Sequence, residues 1–158
     1  SKKPVTISHA NPNFFHQSIR NIDDEVLKLL AKNNGFIGLS LYPYHLKNYG
    51  DCKLEDFCEM INQLVNIMGE DNIGIGSDLC MNWPDSVVMW MRNGKWTKKI
   101  DYGESKNKNA SWPKPLTWYS KPEDISAFLK GMILNGISEK TAHKIAGSNW
   151  LNFMQNHF

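Results

Sequence analysis

Apolar positions along this chain fall into short unbroken runs and longer runs with helical spacing. Val5-Thr6-Ile7 is β-branched, sits between Pro4 and Ser8-His9, and predicts a buried strand. Phe36-Ile37-Gly38-Leu39-Ser40-Leu41 is apolar with little alternation, as a strand covered on both faces should be. Ile73-Gly74-Ile75-Gly76-Ser77-Asp78 predicts a third strand that ends in a carboxylate. Between them, Val26, Leu27, Leu29, Leu30 and Ala31 recur at helical spacing. Asp23 or Asp24 opens that helix, and Asn33-Asn34-Gly35 closes it, with Gly35 free to take a left-handed conformation. A second helix spans Leu54–Met68, with Phe57, Ile61, Leu64, Val65 and Met68 on one stripe. Residues 79–119 are irregular except for a short helical pattern at 86–92. A helix follows at 124–135, capped by Gly136, and Ser138 opens a last one that Gly147 and Asn149 interrupt before Trp150.

The order is β-α-β-α-β, a long loop, then α-α. Such alternation predicts an α/β fold with right-handed crossovers and a parallel sheet. Three parallel strands alone would leave two exposed edges, so the pattern fits better as the closing arc of a TIM-type (β/α) barrel. On this reading residues 1–158 are the last three strands of one eight-stranded barrel domain, with loop 79–119 inserted after the last strand. The chemistry of such barrels lies at the C-terminal ends of the strands.

Composition adds boundaries. The chain has 158 residues, 41% hydrophobic and 22% charged, with 18 basic and 16 acidic side chains and a formal charge of +2. This balance points away from nucleic acid, and Lys106-Asn107-Lys108-Asn109 reads as a solvated loop. No apolar run approaches the ~18 residues of a membrane span. Cys52, Cys58 and Cys80 are odd in number and lack C-x-x-C spacing, so reduced thiols, and with them a reducing compartment, are the simplest reading.

Two strand ends carry metal-ligand types, His9 and Asp78, and an imidazole and a carboxylate on one barrel rim suit zinc. Taken singly, each is as well explained by a hydrogen-bonded histidine or a loop-anchoring aspartate. Arg20 follows the first strand and could clamp a carboxylate, although spacing alone favours an ion pair with Asp23 or Asp24. His16, His45, His143 and His157 carry less weight. Tyr42 and Tyr44 follow the second strand as pocket lining or as ordinary rim aromatics. The tryptophans of loop 79–119 suit a substrate-pocket wall or a subunit contact.

Taken together, these segments resemble the membrane (renal) dipeptidase family of zinc peptidases. Pro4-Val5-Thr6-Ile7-Ser8-His9 is similar to the family's strand ending in a Ser-His zinc ligand, and Arg20-Asn21, eleven residues on, to its Arg-Asn pair before an acidic, Val-Leu helix start. Ile73 through Asp78 resembles its last strand, and Gly147-Ser148-Asn149-Trp150-Leu151 its Gly-x-Asn-x-Leu closure. The resemblance implies a (β/α)8 metallo-dipeptidase with two zinc ions per complete barrel, bridged by a glutamate and a hydroxide. His9 would bind one zinc and Asp78 the other; Asp78 would also take a proton from the attacking water, and Arg20 would hold the free carboxylate of a dipeptide. The family's His-x-Asp pair, bridging Glu and remaining His have no match here, so the implied partners are the N-terminal half of the barrel, the dipeptide and, through the aromatic loop, a second copy in a homodimer. The family's Phe-Asp-Gly after the zinc Asp is replaced by Leu79-Cys80-Met81 and the tryptophan-rich loop. The alternative is a non-catalytic barrel fragment or interaction module that uses that loop.

Overall fold

The computed structural model describes residues 3–93 and 111–157. Three strands form one parallel sheet in the order β1-β2-β3: β1 Thr6–Ala10, β2 Phe36–Leu39 and β3 Ile73–Ile75. Helix α1 (Asp24–Lys32) crosses from β1 to β2, and α2 (Leu54–Met68) from β2 to β3. Then come α3 (Asp85–Asn93), α4 (Ile125–Leu134), α5 (Glu139–His143) and α6 (Asn149–His157). The expected α/β order and parallel pairing are both present. Trp96 and the Lys106 to Asn109 stretch of the expected loop lie outside the described residues, and the loop's last part, from 111, packs on the core.

Strand ends differ from the sequence pattern. β1 runs past Ile7, so His9 lies inside the strand, where the β1–β2 register shifts between Ile7 and Ala10. β3 pairs regularly only to Ile75, after which Gly76 N–H donates to Leu39 O at 2.9 Å and Ser77 O accepts from Leu41 N–H at 3.2 Å. At the end of α1 the left-handed residue is Asn34 (φ 52°), not Gly35. Gly35 is required for a different reason: a Cβ there would collide with the Leu30 side chain and the Val5 carbonyl. At the end of α4 the expectation holds: Gly136 has φ 85°, and Ile137 N–H reaches back to Met132 O at 3.1 Å, closing a Schellman turn. Ser138 caps α5 by accepting from Thr141 N–H at 3.1 Å.

The two faces of the sheet are covered differently. Ile37, Leu39 and Ile73 join Leu27 and Leu30 of α1, Phe57, Ile61 and Leu64 of α2, and Phe128 of α4 in the main core. Alternation puts Phe36 on the other face, outside that core. There Trp150 and Phe153 of α6 pack on it, with ring centroids 4.4 and 5.1 Å away. The last helix therefore crosses the N-terminal ends of the strands. Asn149 Nδ2 donates to Glu70 O and Ile73 O at 2.7 Å each, and Trp150 Nε1 to Ile75 O at 2.8 Å. At its far end, His157 O accepts from Lys3 Nζ at 3.3 Å. Lys144, in the wide turn Lys144–Ser148 between α5 and α6, pairs with Glu70 at 2.6 Å and Asp71 at 2.5 Å. Hydrogen bonds from Lys144 and Thr141 hold the Glu70 carboxyl down at about 2.

Candidate active site

At the opposite, C-terminal end of the strands, residues from three separate segments meet. Glycine makes the approach possible: a Cβ at either Gly38 of β2 or Gly76 after β3 would strike the Ser8 carbonyl. Without those side chains, the Ser8-His9 stretch of β1 leans over its neighbours. Arg20 Nη2 lies 3.2 Å from His9 Nε2. A guanidinium can only donate, so Nε2 accepts. The ring proton is then on Nδ1, 2.8 Å from Ser8 Oγ, which accepts it. The Asp78 carboxyl completes the group. Burial pushes its pKa up, while the neighbouring His9 and Arg20 pull the other way. Asp78 also has φ 54°, an unusual left-handed conformation for a residue with a side chain, at the sharp turn that ends β3.

The structure thus brings together His9, Arg20 and Asp78, the three candidate residues of the sequence. Among the described residues, Arg20 forms no ion pair with Asp23 or Asp24; Asp23 instead accepts from Asn13 Nδ2 at 2.7 Å. His143 and His157 lie on the last helices at the other end, and His16 packs edge-on against Tyr49. Tyr42 packs edge-on against both Tyr44 and His45, at 5.7 and 5.2 Å.

Beneath the trio lies a buried polar cluster whose importance the sequence pattern does not reveal: Asn11, Asn21, Ser40 and His45. Asn11 N–H donates to Asn21 Oδ1 at 3.1 Å, and Asn11 Nδ2 donates to Ser40 O and His45 O at 2.9 and 3.2 Å. Asn21 Nδ2 donates to His16 O and His45 O at 2.8 and 3.0 Å. Ser40 Oγ stands 2.8 Å from His45 Nδ1 and accepts from Tyr42 N–H at 3.2 Å. The cluster ties the end of β1, the Arg20 loop and the end of β2 into one unit. Burial first, and then the neighbouring Arg20, His9 and His16, push the His45 imidazole down to about 4. The one sequence pointer to this network is Asn21, which stands beside Arg20 in the Arg-Asn pair.

An imidazole nitrogen and a carboxylate are good zinc donors, but they are two. Among the described residues there is no group of three or more His, Cys, Asp or Glu side chains able to hold a metal. Cys52 and Cys58 are buried elsewhere, with thiols pushed up to about 12 by burial. No described helix is long and apolar enough to cross a membrane.

Comparison with known proteins shows what the chain is similar to. Dipeptidase aclJ of Aspergillus oryzae is 31% identical over 84 residues, covering 49% of this chain and 19% of its own length. An amidohydrolase from Pseudomonas aeruginosa superposes with a TM-score of 0.83 at 27% identity, over 98% of this chain and 46% of that one. A metallopeptidase from Rhodobacter sphaeroides, solved with a phosphinate mimic of the dipeptide L-Ala-D-Ala, shares the fold with a TM-score of 0.70 at 19% identity, over 100% of this chain and 37% of that one. The chain thus spans less than half the length of these relatives. The sequence model of the membrane dipeptidases, peptidase family M19, matches residues 1–86, a stretch that contains His9, Arg20 and Asp78, and the chain belongs to that family of metal-dependent hydrolases.

Proposed function

We propose that this chain supplies the last three strands of a (β/α)8 barrel that hydrolyses dipeptides with two zinc ions, and that His9 and Asp78 are ligands to different ions. The observation that carries the reading is the meeting of His9, Arg20 and Asp78 at the C-terminal ends of three parallel strands. The donor set fits a metal in kind. His9 already turns the lone pair of Nε2 towards a cation, the Arg20 guanidinium, and a zinc ion would take the same lone pair. It fits only in part in number, because a catalytic zinc takes about three protein ligands, so the others come from the remainder of the barrel.

When bound, zinc would polarise the scissile carbonyl and acidify water. The residues of this chain then do the rest. Arg20, freed from His9, pairs with the free carboxylate of the substrate through two parallel N–H donors. That requirement favours dipeptides, whose carboxylate lies one residue from the scissile bond. Asp78, whose pKa burial raises, is a better proton acceptor than a solvated carboxylate and takes the proton of the attacking water. Ser8 holds the His9 ring through Nδ1, fixing Nε2 towards the site. The test is metal analysis and dipeptide hydrolysis for residues 1–158 alone and for the complete barrel. The complete barrel should hold two zinc ions and be active; the chain alone should bind zinc weakly and be inactive. Chelator-sensitive hydrolysis by the chain alone would show that the site lies elsewhere.

A further inference from the structure

We infer that the cleft on the β3 side of Asp78 is an apolar side-chain subsite, and that the substrates are dipeptides with a bulky apolar residue at the end away from the free carboxylate. This rests on the dipeptidase reading above. The cleft opens between the ends of β2 and β3 and the segment from 111 to 120. Leu41, Tyr42, Leu79, Trp112, Leu116 and Tyr119 line it, and Asp78 is the one residue of formal charge among its described lining. The other flank of Asp78 carries His9 and Arg20. The site is therefore polarised, with a cation for a carboxylate on the β1 side and an apolar wall on the β3 side. A dipeptide that places its carboxylate on Arg20 and its scissile bond at Asp78 directs its other residue towards that wall.

The wall is fixed before any ligand arrives. Leu116 and Tyr119 are buried in the core. Trp118 stacks on Phe128 at 5.5 Å and donates from Nε1 to Cys52 O at 2.8 Å. Trp112 N–H is held by Asp85 Oδ1 at 3.1 Å, at the start of α3. The Trp112 indole N–H itself is buried and has no acceptor among the described residues. Through Cys80 and Trp112 the apolar lining continues into a second cleft formed with Trp83, Val87 and Trp90. A charged side chain placed here would lose its hydration against a mostly apolar lining. An apolar one would exchange water for aromatic contact.

The experiment compares kcat/KM of the complete enzyme for Leu-Gly, Phe-Gly, Ala-Gly and Asp-Gly. The expected result is that Leu-Gly and Phe-Gly exceed Ala-Gly by at least about tenfold, the scale of added methylenes in a fitted pocket, with Asp-Gly slowest. Trp112→Ala should reduce that advantage to about threefold or less, and Trp112→Phe should keep most of it. Equal rates across the four substrates, or a preference that survives Trp112→Ala, would overturn the subsite and leave the dipeptidase reading standing. Absence of hydrolysis for all four would overturn both. Because the wild-type panel decides by itself, a variant that fails to fold does not block the test.

Discussion

Arg20 and His45 show how single side chains set the properties of this site. Arg20 is exposed, yet its guanidinium is parked on His9 Nε2, and in the proposed enzyme it would exchange that acceptor for a substrate carboxylate. In the complete enzyme, Arg20→Ala should therefore cost about 2 kcal/mol in kcat/KM for dipeptides with a free carboxylate, the scale of a hydrogen bond to a charged group. Amide-blocked analogues should lose much less, and equal losses for both would remove this role. His45 has the opposite character, being only 5% exposed and held at a pKa of about 4. Between the unfolded value near 6.5 and that folded value, the unfolded chain binds a proton that the folded one refuses. Its stabilisation is thus complete above about pH 6.5 and lost as pH falls towards 4, by up to about 3 kcal/mol. Denaturant midpoints measured from about pH 7 to pH 4.5 should fall, and His45→Gln should flatten the fall. The Arg20 role is read in sequence through the family resemblance, whereas that of His45 is not legible there. Asn11, Asn21, Ser40 and His45 are types common in loops, and only tertiary contact shows that they are buried against one another.

The strands and helices themselves were far more legible, because long apolar runs with a fixed period report burial directly. Their ends were not, since tertiary contacts decide where each stops. β1 continues through His9 because Gly38 and Gly76 leave room for its Ser8 carbonyl, a requirement set from two other strand segments. Gly76→Ala should force those backbones apart, with a loss of about 1–3 kcal/mol as for other overpacked interiors. The accompanying shift of Ser8-His9 should cut metal affinity in the complete enzyme, and unchanged stability and zinc content would refute the argument. The closing motif makes an independent prediction. Asn149 satisfies the carbonyls of both Glu70 and Ile73 from one amide group. Asn149→Ala should cost about 2–3 kcal/mol by leaving buried backbone oxygens unpaired. Equilibrium unfolding measures this, and a loss below about 0.5 kcal/mol would mean that water replaces the amide without penalty.

At the scale of the whole molecule, the sheet is open on its β1 side. Val5 (52% exposed), Val26 (48%) and Leu29 (60%) form an apolar strip along β1 and the outer face of α1, beside a groove lined also by Pro4, Ile7 and Leu30. In the proposed barrel the preceding strand and helix cover this strip. The isolated chain should consequently self-associate, and the double change Val26→Lys, Leu29→Lys should reduce its sedimentation mass while destabilising the complete barrel. An unchanged mass would place the association elsewhere, for instance on the exposed Trp83 and Trp90. The alternating strand-helix order made this open edge readable from sequence, whereas the position of α6 was not, because nothing local says that Trp150 and Phe153 cross to the face bearing Phe36. That crossing has a consequence for traffic. With the far end of the sheet floored by the tilted rings of Trp150 and Phe153 on Phe36, the proposed barrel would have one mouth, at the rim that holds His9, Arg20 and Asp78. In the proposed enzyme substrate would enter and both amino acids would leave through that mouth, and an extended polypeptide would find no back door through which to thread.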